Sequence, residues 1–272
     1  MKEILTFFDT SNFGYGNYNG YNTLKDFKTA FILYLSKLRA LRQHDPLSII
    51  LITDEKGKEI MIDDFKIEFD GVEIIEINKF SKFDILSRSE GYLRIDLDVI
   101  PFSHFPLPLY TAEVVVQEII TSPNHNQWLY DFNKDFGVFN KSVRFTDAVY
   151  EKIKEAIYKN KLIGLKTGII GGNNVALLNG YVDSVKEFKQ KNQLHNDNFF
   201  EIVYSAYYFQ LEKIIPAIPT VEYGKNVLTL YDKATCIQFT EKTKRNPIFL
   251  EATKTYIKYF FPKQFNKLTT LL

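Results

Sequence analysis

The chain is poor in cysteine and in charge of one sign. Cys236 is the single cysteine among 272 residues, which excludes an internal disulfide framework and a cysteine-rich zinc site. Basic and acidic residues number 34 and 33, interspersed, for a net charge of +1. A dedicated nucleic-acid binder shows a basic face or stripe instead, so no nucleic-acid partner is expected. The four histidines, His44, His104, His125 and His195, have no metal-ligand spacing such as His-X-X-X-His. The Gly-Lys-Ser/Thr ending of a P-loop and the Gly-X-Ser-X-Gly elbow of a hydrolase are both missing. No apolar run approaches the length of a membrane span. Residues 3–8 read directly as a strand, without a basic segment and signal-like apolar core, so the expected setting is cytoplasmic with no membrane span.

Aromatic residues are plentiful, at 24 Phe and 17 Tyr, within an ordinary balance of 45% hydrophobic and 25% charged residues. They suit core packing first and stacking surfaces second. The length fits one large α/β domain or two small ones; the absence of a clear linker favours one, 1–272, with halves at 1–120 and 121–272. After the strand at 3–8 comes a loop, 9–22, rich in Gly, Asn and Tyr, which is either the mouth of a site or a plain surface loop. Phe27, Ala30, Phe31, Tyr34, Leu35, Leu38 and Leu41 recur in steps of three and four, which predicts a helix to about residue 43 with one apolar face packed on a sheet. The apolar run 48–53 predicts a buried, parallel strand. Asp54-Glu55-Lys56-Gly57 reads as a turn. Further strands are expected at 72–77, 91–95 and 112–118, with a short helix or turn at 82–89.

Beyond an irregular stretch, 121–145, helices are expected over 147–160, from about 174 to 189, over 195–211, and from Pro247 to about 261, where Pro262 stops the helix. Strands at 214–218, 227–230 and 235–239 predict a smaller, β-rich part. Gly168-Ile169-Ile170-Gly171-Gly172-Asn173-Asn174 reads as a glycine turn capped by Asn173 or Asn174.

The stretch that most needs a chemical reason is Leu93-Arg94-Ile95-Asp96-Leu97-Asp98-Val99-Ile100. An apolar strand runs there into two carboxylates one residue apart, although aspartates are depleted from strands and costly to bury unpaired. Carboxylate oxygens suit a hard divalent cation, Mg²⁺ or Mn²⁺. Ligands of α/β sheets bind beyond the carboxyl ends of the strands, where this pair falls. A glycosidase pair is disfavoured, since Asp96 and Asp98 are too near in sequence to flank a bond from opposite sides.

Arg94-Ile95-Asp96-Leu97-Asp98-Val99 resembles the Asp-X-Asp segment of bacterial nucleotide-sugar glycosyltransferases with the GT-A fold. Leu51-Ile52-Thr53-Asp54-Glu55-Lys56-Gly57, Lys82, Val115-Val116-Gln117-Glu118 and Gly168-Ile169-Ile170-Gly171-Gly172 follow in the same order and spacing. The resemblance covers about residues 48–180 and is weaker through 197–213 and the basic cluster Lys242, Lys244, Arg245. It implies an α/β, GT-A-like (Rossmann-like) layered sheet flanked by helices, with a smaller mixed C-terminal part. The implied activity is metal-dependent sugar transfer from a nucleotide-sugar donor, such as a uridine diphosphate sugar, to an acceptor hydroxyl on a glycan, a lipid-linked glycan or a protein.

The same resemblance implies that Asp96 and Asp98, with Gln238 where a late histidine completes the metal site, hold Mn²⁺ or Mg²⁺. The donor would meet Phe7, Phe8, Thr53, Asp54, Lys82, Gly171, Gly172, Lys244 and Arg245. Glu201 is the implied acidic group on the acceptor side, the alternative being an ordinary acid in the first turn of a helix. The chain departs from the pattern in four places. Arg94 stands where a His-Ile-Asp is frequent; Lys166 and Thr167 replace an asparagine; Ser205 and Ala206 replace a Glu-Gln pair; and Gln238 replaces the histidine. These departures motivate a second expectation: a glycosyltransferase-like protein without turnover, acting as a binding or scaffolding module.

Overall fold

The structure, a computed structural model, describes residues 1–8, 24–45, 47–76, 87–96, 99–101, 105, 107–120, 155, 164–192, 208, 221–223, 236–238 and 247–270. The expected loop 9–22, the stretch 121–145 and the strands at 214–218 and 227–230 lie outside them. So do the helices at 147–160 and 195–211, apart from Glu155 and Tyr208, and most of 82–89.

In chain order the elements are β1 (Glu3–Phe8), α1 (Leu24–His44), β2 (Ser48–Thr53), α2 (Glu55–Lys58), a π-helical segment (Glu59–Asp64), β3 (Gly71–Ile74), β4 (Tyr92–Ile95), β5 (Val99–Pro101), α3 (Leu107–Thr111), β6 (Val115–Ile120) and β7 (Gly164–Gly172). Then follow α4 (Val175–Asn192), β8 (Val221–Tyr223), β9 (Cys236–Gln238), α5 (Pro247–Phe260) and α6 (Pro262–Thr270). The chain is a mixed α/β protein that forms two compact units. One comprises Met1–Phe80, Tyr92–Leu107 and Pro219–Leu272; the other Ser81–Gly91 and Pro108–Ile218. Among the described residues, no helix is long and apolar enough to cross a membrane.

The first unit is built on parallel strands in the order β3-β2-β1-β4. The apolar runs of β1, β2 and β4 are buried on both faces, with Ile4, Leu5, Ile49, Leu51 and Ile52 at 0% exposure, whereas Val72 and Ile74 of the edge strand β3 are exposed. β1 pairs with β2 along its whole length, from Glu3 opposite Ser48 to Phe8 opposite Thr53. Its ladder with β4 is shorter and ends at Leu5 opposite Arg94. A smaller three-stranded sheet, β5-β9-β8, joins β5 and β9 antiparallel, with Val99 opposite Gln238, and β9 and β8 parallel.

Helix α1 differs from the one-faced helix that its spacing predicts: every residue from Phe31 to Leu38 is buried. The reason is a second cover, because α1 packs against α5 as well as β5. Arg39 of α1 sets its guanidinium 5.0 Å from the ring centroid of Phe260, a cation–π contact.

The segment expected as a turn after β2 is helical instead. Asp54 caps α2 by accepting the Gly57 amide at 2.6 Å, and the chain continues into the π-helical segment. That segment closes where Lys66 takes a φ of 54° and the amides of Phe65 and Ile67 return to the carbonyls of Ile60 and Met61, much as a left-handed residue ends an α-helix. At the other end of the chain, Pro262 stops α5 as expected but also opens α6, since proline suits the first turn of a helix.

In the second unit β6 and β7 pair antiparallel, with an irregularity between Val116 and Glu118. The glycine stretch is therefore mostly strand rather than turn. β7 runs through Gly171, which pairs with Val115, to Gly172. The turn follows at Asn173, and Asn174 caps α4 by accepting the Leu177 amide at 3.1 Å.

Candidate functional site

Asp96 is the first residue after β4. In the order β3-β2-β1-β4, the chain leaves β1 for β2 on one side and returns to β4 on the other. This is the switch point at which parallel α/β sheets bind ligands, beyond the carboxyl ends of the strands. The two ladders of β1 have unequal length, so beyond Leu5 and Arg94 the end of β1 and the end of β4 are no longer paired to each other. Phe7 and Asp96 lie at those ends.

Arg94 fills this place. Its side chain is 0% exposed, and its Nη2 donates to Oδ1 of Asp96 at 2.7 Å. Alternation along a strand puts residues two apart on the same face, which brings the two together. The guanidinium also lies 5.8 Å from the centroid of the Phe7 ring. The Asp96 side chain keeps 20% exposure. A buried guanidinium thus fixes one carboxylate oxygen of Asp96 by a charge-assisted bond.

Lys37, on α1, reaches the same strand end. Its Nζ donates to the carbonyl oxygens of Ile95 at 2.8 Å and Asp96 at 2.9 Å, and the residue is fully buried. The Asp96 carbonyl also accepts the amide of Val99 at 3.0 Å. Sequence reasoning marks Arg94 only as a departure from the family pattern and gives Lys37 no role. The signals were present: Arg94 stands two residues before Asp96, and Lys37 interrupts the apolar stripe, three residues after Tyr34 and four before Leu41.

Phe8, Thr53 and Asp54, also expected to meet the donor, are packed tightly at the ends of β1 and β2. The Phe8 ring is in the core, 6.1 Å from Phe31 and 5.8 Å from Tyr34, centroid to centroid. Phe7 is half-buried. The Thr53 hydroxyl donates to the Phe8 carbonyl at 2.6 Å, and the Asp54 carboxylate is committed to the α2 cap. Gly57 is required beneath them, because a Cβ there would collide with the Thr53 hydroxyl oxygen. Gln238 lies on β9, opposite Val99, so its backbone is placed three residues along from Asp96.

Gly171 and Gly172 belong to the second unit. Gly172 has a φ of 141°, and a Cβ on it would collide with the Glu113 carbonyl oxygen. The close approach that glycine permits here is to the backbone at Glu113 and Val114. Gln117 is buried, and Glu118 pairs with Lys166 across the ladder at 2.9 Å. Asp98, Lys82, Glu201, Lys244 and Arg245 lie outside the described residues.

The donor set can be weighed against a divalent cation from Asp96 alone. Among the described residues no group of three His, Cys, Asp or Glu side chains converges. Mg²⁺ in nucleotide sites does not need such a cage: one or two carboxylates, substrate phosphates and waters complete its shell. A partly exposed carboxylate held in place by Arg94 fits that requirement.

A comparison with curated proteins finds no match to this chain. A family match covers nearly all of it, residues 1–271. The chain belongs to DUF6734, a family of unknown function.

Proposed function

We propose that the protein is a metal-dependent glycosyltransferase that moves a sugar from a nucleotide-sugar donor to an acceptor hydroxyl, on a GT-A-like layered sheet. The observation that carries this reading is the place of Asp96: a carboxylate directly after β4, at the switch point beside β1. Its resemblance to Asp-X-Asp enzymes supplies the class of donor. Mn²⁺ or Mg²⁺ held by Asp96 and Asp98, with Gln238 nearby, would neutralise charge on the departing diphosphate. In the transfer, the bond from the anomeric carbon to the diphosphate oxygen breaks and a bond to the acceptor oxygen forms. The acceptor proton leaves to a base, for which Glu201 is the candidate.

The chain's own contribution is orientation. Arg94 holds the Asp96 carboxylate, Phe7 lies against that guanidinium, and the packed cluster of Phe8, Thr53, Asp54 and Gly57 stiffens the adjoining strand end. Groups fixed before the donor arrives cost no reorganisation during the reaction. Lys82, Gly171, Gly172, Lys244 and Arg245 retain the donor-binding roles that the resemblance implies.

A second reading has its own observation. The Arg94–Asp96 bond engages the carboxylate that a metal would use, which favours a glycosyltransferase-like module that binds without turnover. Donor hydrolysis separates the two. Incubation with Mn²⁺ and a panel of nucleotide-sugars, with water and then simple glycosides as acceptors, releases nucleoside diphosphate if the protein is an enzyme. Donor binding with no release for any acceptor supports the module.

A further inference from the structure

We propose that Lys37 is a positioning residue of the donor site: its buried ammonium holds the end of β4 so that the Asp-X-Asp segment leaves the sheet in one geometry. This rests on the reading of that strand end as the place where metal and diphosphate bind. The ladder between β4 and β1 ends at Arg94. The carbonyls of the next two residues, Ile95 and Asp96, are taken by the Lys37 Nζ at 2.8 and 2.9 Å. The Asp96 carbonyl accepts a second bond, from the Val99 amide three residues on. Lys37 is thus anchored to the main chain on which Asp96 is carried, while Arg94 anchors its side chain.

Core packing alone does not call for a lysine here. Tyr34, Leu35, Leu38 and Leu41, within one helical turn of Lys37 or just beyond it, are core residues, and a lysine is rarely buried without a charged or polar purpose. An ammonium offers three donors, and two of them converge on consecutive carbonyls. Those bonds are charge-assisted and short. They also place a positive charge beside the segment that would face an anionic diphosphate. Groups that orient metal ligands without touching the metal typically change metal affinity by about tenfold to a hundredfold when removed.

The test compares wild type with Lys37→Met, Lys37→Gln and Lys37→Arg, using Mn²⁺ with uridine diphosphate as probe and titration calorimetry as readout. Lys37→Gln keeps a neutral donor and serves if Lys37→Met does not fold. Amide hydrogen exchange at Val99 is followed in parallel. The expected result is a wild type that binds, a folded Met or Gln variant at least about tenfold weaker, faster exchange at Val99, and recovery of affinity in Lys37→Arg. A wild type that binds, with folded Met or Gln variants of unchanged affinity, overturns the role of Lys37 and leaves the donor site standing. A wild type that does not bind the probe overturns the donor site, and with it the role of Lys37 in that site; Val99 exchange then shows only whether Lys37 holds the strand end.

Discussion

Arg94 and Asp96, two residues apart at the end of β4, form an ion pair of 2.7 Å in which the guanidinium is fully buried and the carboxylate 20% exposed. Removing one partner of such a pair leaves the other desolvated and uncompensated. Arg94→Met is therefore expected to cost about 3 kcal/mol of stability. Asp96→Asn is expected to cost at least as much, because it leaves the fully buried Arg94 guanidinium without its counter-charge, whereas the carboxylate left by Arg94→Met reaches water. Urea denaturation of the two variants and the double variant gives the coupling, expected at about 1–2 kcal/mol. Additive losses would mean that Arg94 is not held for the sake of Asp96.

Gly172 gives a sharper stability test. Its φ of 141° combines with the collision that a Cβ would make with the Glu113 carbonyl oxygen, so strain and a backbone clash act together. Gly172→Ala is expected to lose about 3 kcal/mol. Gly180, inside α4, is the contrast. A Cβ there meets only the tip of the Tyr208 side chain, at 2.8 Å, and alanine gains about 1 kcal/mol of helix propensity. Gly180→Ala should change the urea midpoint little. Equal losses at the two sites would contradict the geometry at Gly172.

Asp70 sets an acid-sensitive contact between α1 and the start of β2. Its carboxylate accepts the Ile49 amide at 2.7 Å and Arg42 Nη1 at 3.1 Å. The Ile49 bond, opposed in part by burial and aided by the Arg42 bond and charge, lowers its pKa from the ordinary 3.8. A group depressed in the folded state stabilises above its unfolded pKa, and the contribution is lost as pH falls through the folded value. Wild type is thus expected to lose stability faster than Asp70→Asn as pH falls below about 4. Parallel urea-midpoint curves for the two proteins would rule this out.

The parallel strands and the long first helix were legible because burial on both faces leaves uninterrupted apolar runs, such as Ile49-Ile50-Leu51-Ile52, and apolar steps of three and four. Features set by tertiary contact were not. Gly57 reads as a turn glycine, yet it sits in α2 because the Thr53 hydroxyl leaves no room for a Cβ. Gly171 and Gly172 read as a turn, yet Gly171 extends a strand ladder that sequence spacing does not reveal. At the site, the carboxylate was legible and its supports were not. Arg94 reads as a departure from a family pattern, while the structure makes it the ion-pair partner of Asp96. Lys37 reads as a gap in a helical stripe, and only the fold brings it to carbonyls 58 and 59 residues away.

The central claim is that the end of β4 carries a cation clamp for a nucleotide diphosphate. Calorimetric titration of uridine diphosphate sugars, with and without Mn²⁺, into wild type and an Asp96→Ala, Asp98→Ala variant tests it most directly. Binding that requires Mn²⁺ and weakens at least about tenfold in the variant is the expected result. Donor binding of equal affinity in the two proteins, or no binding with any divalent cation, would contradict it.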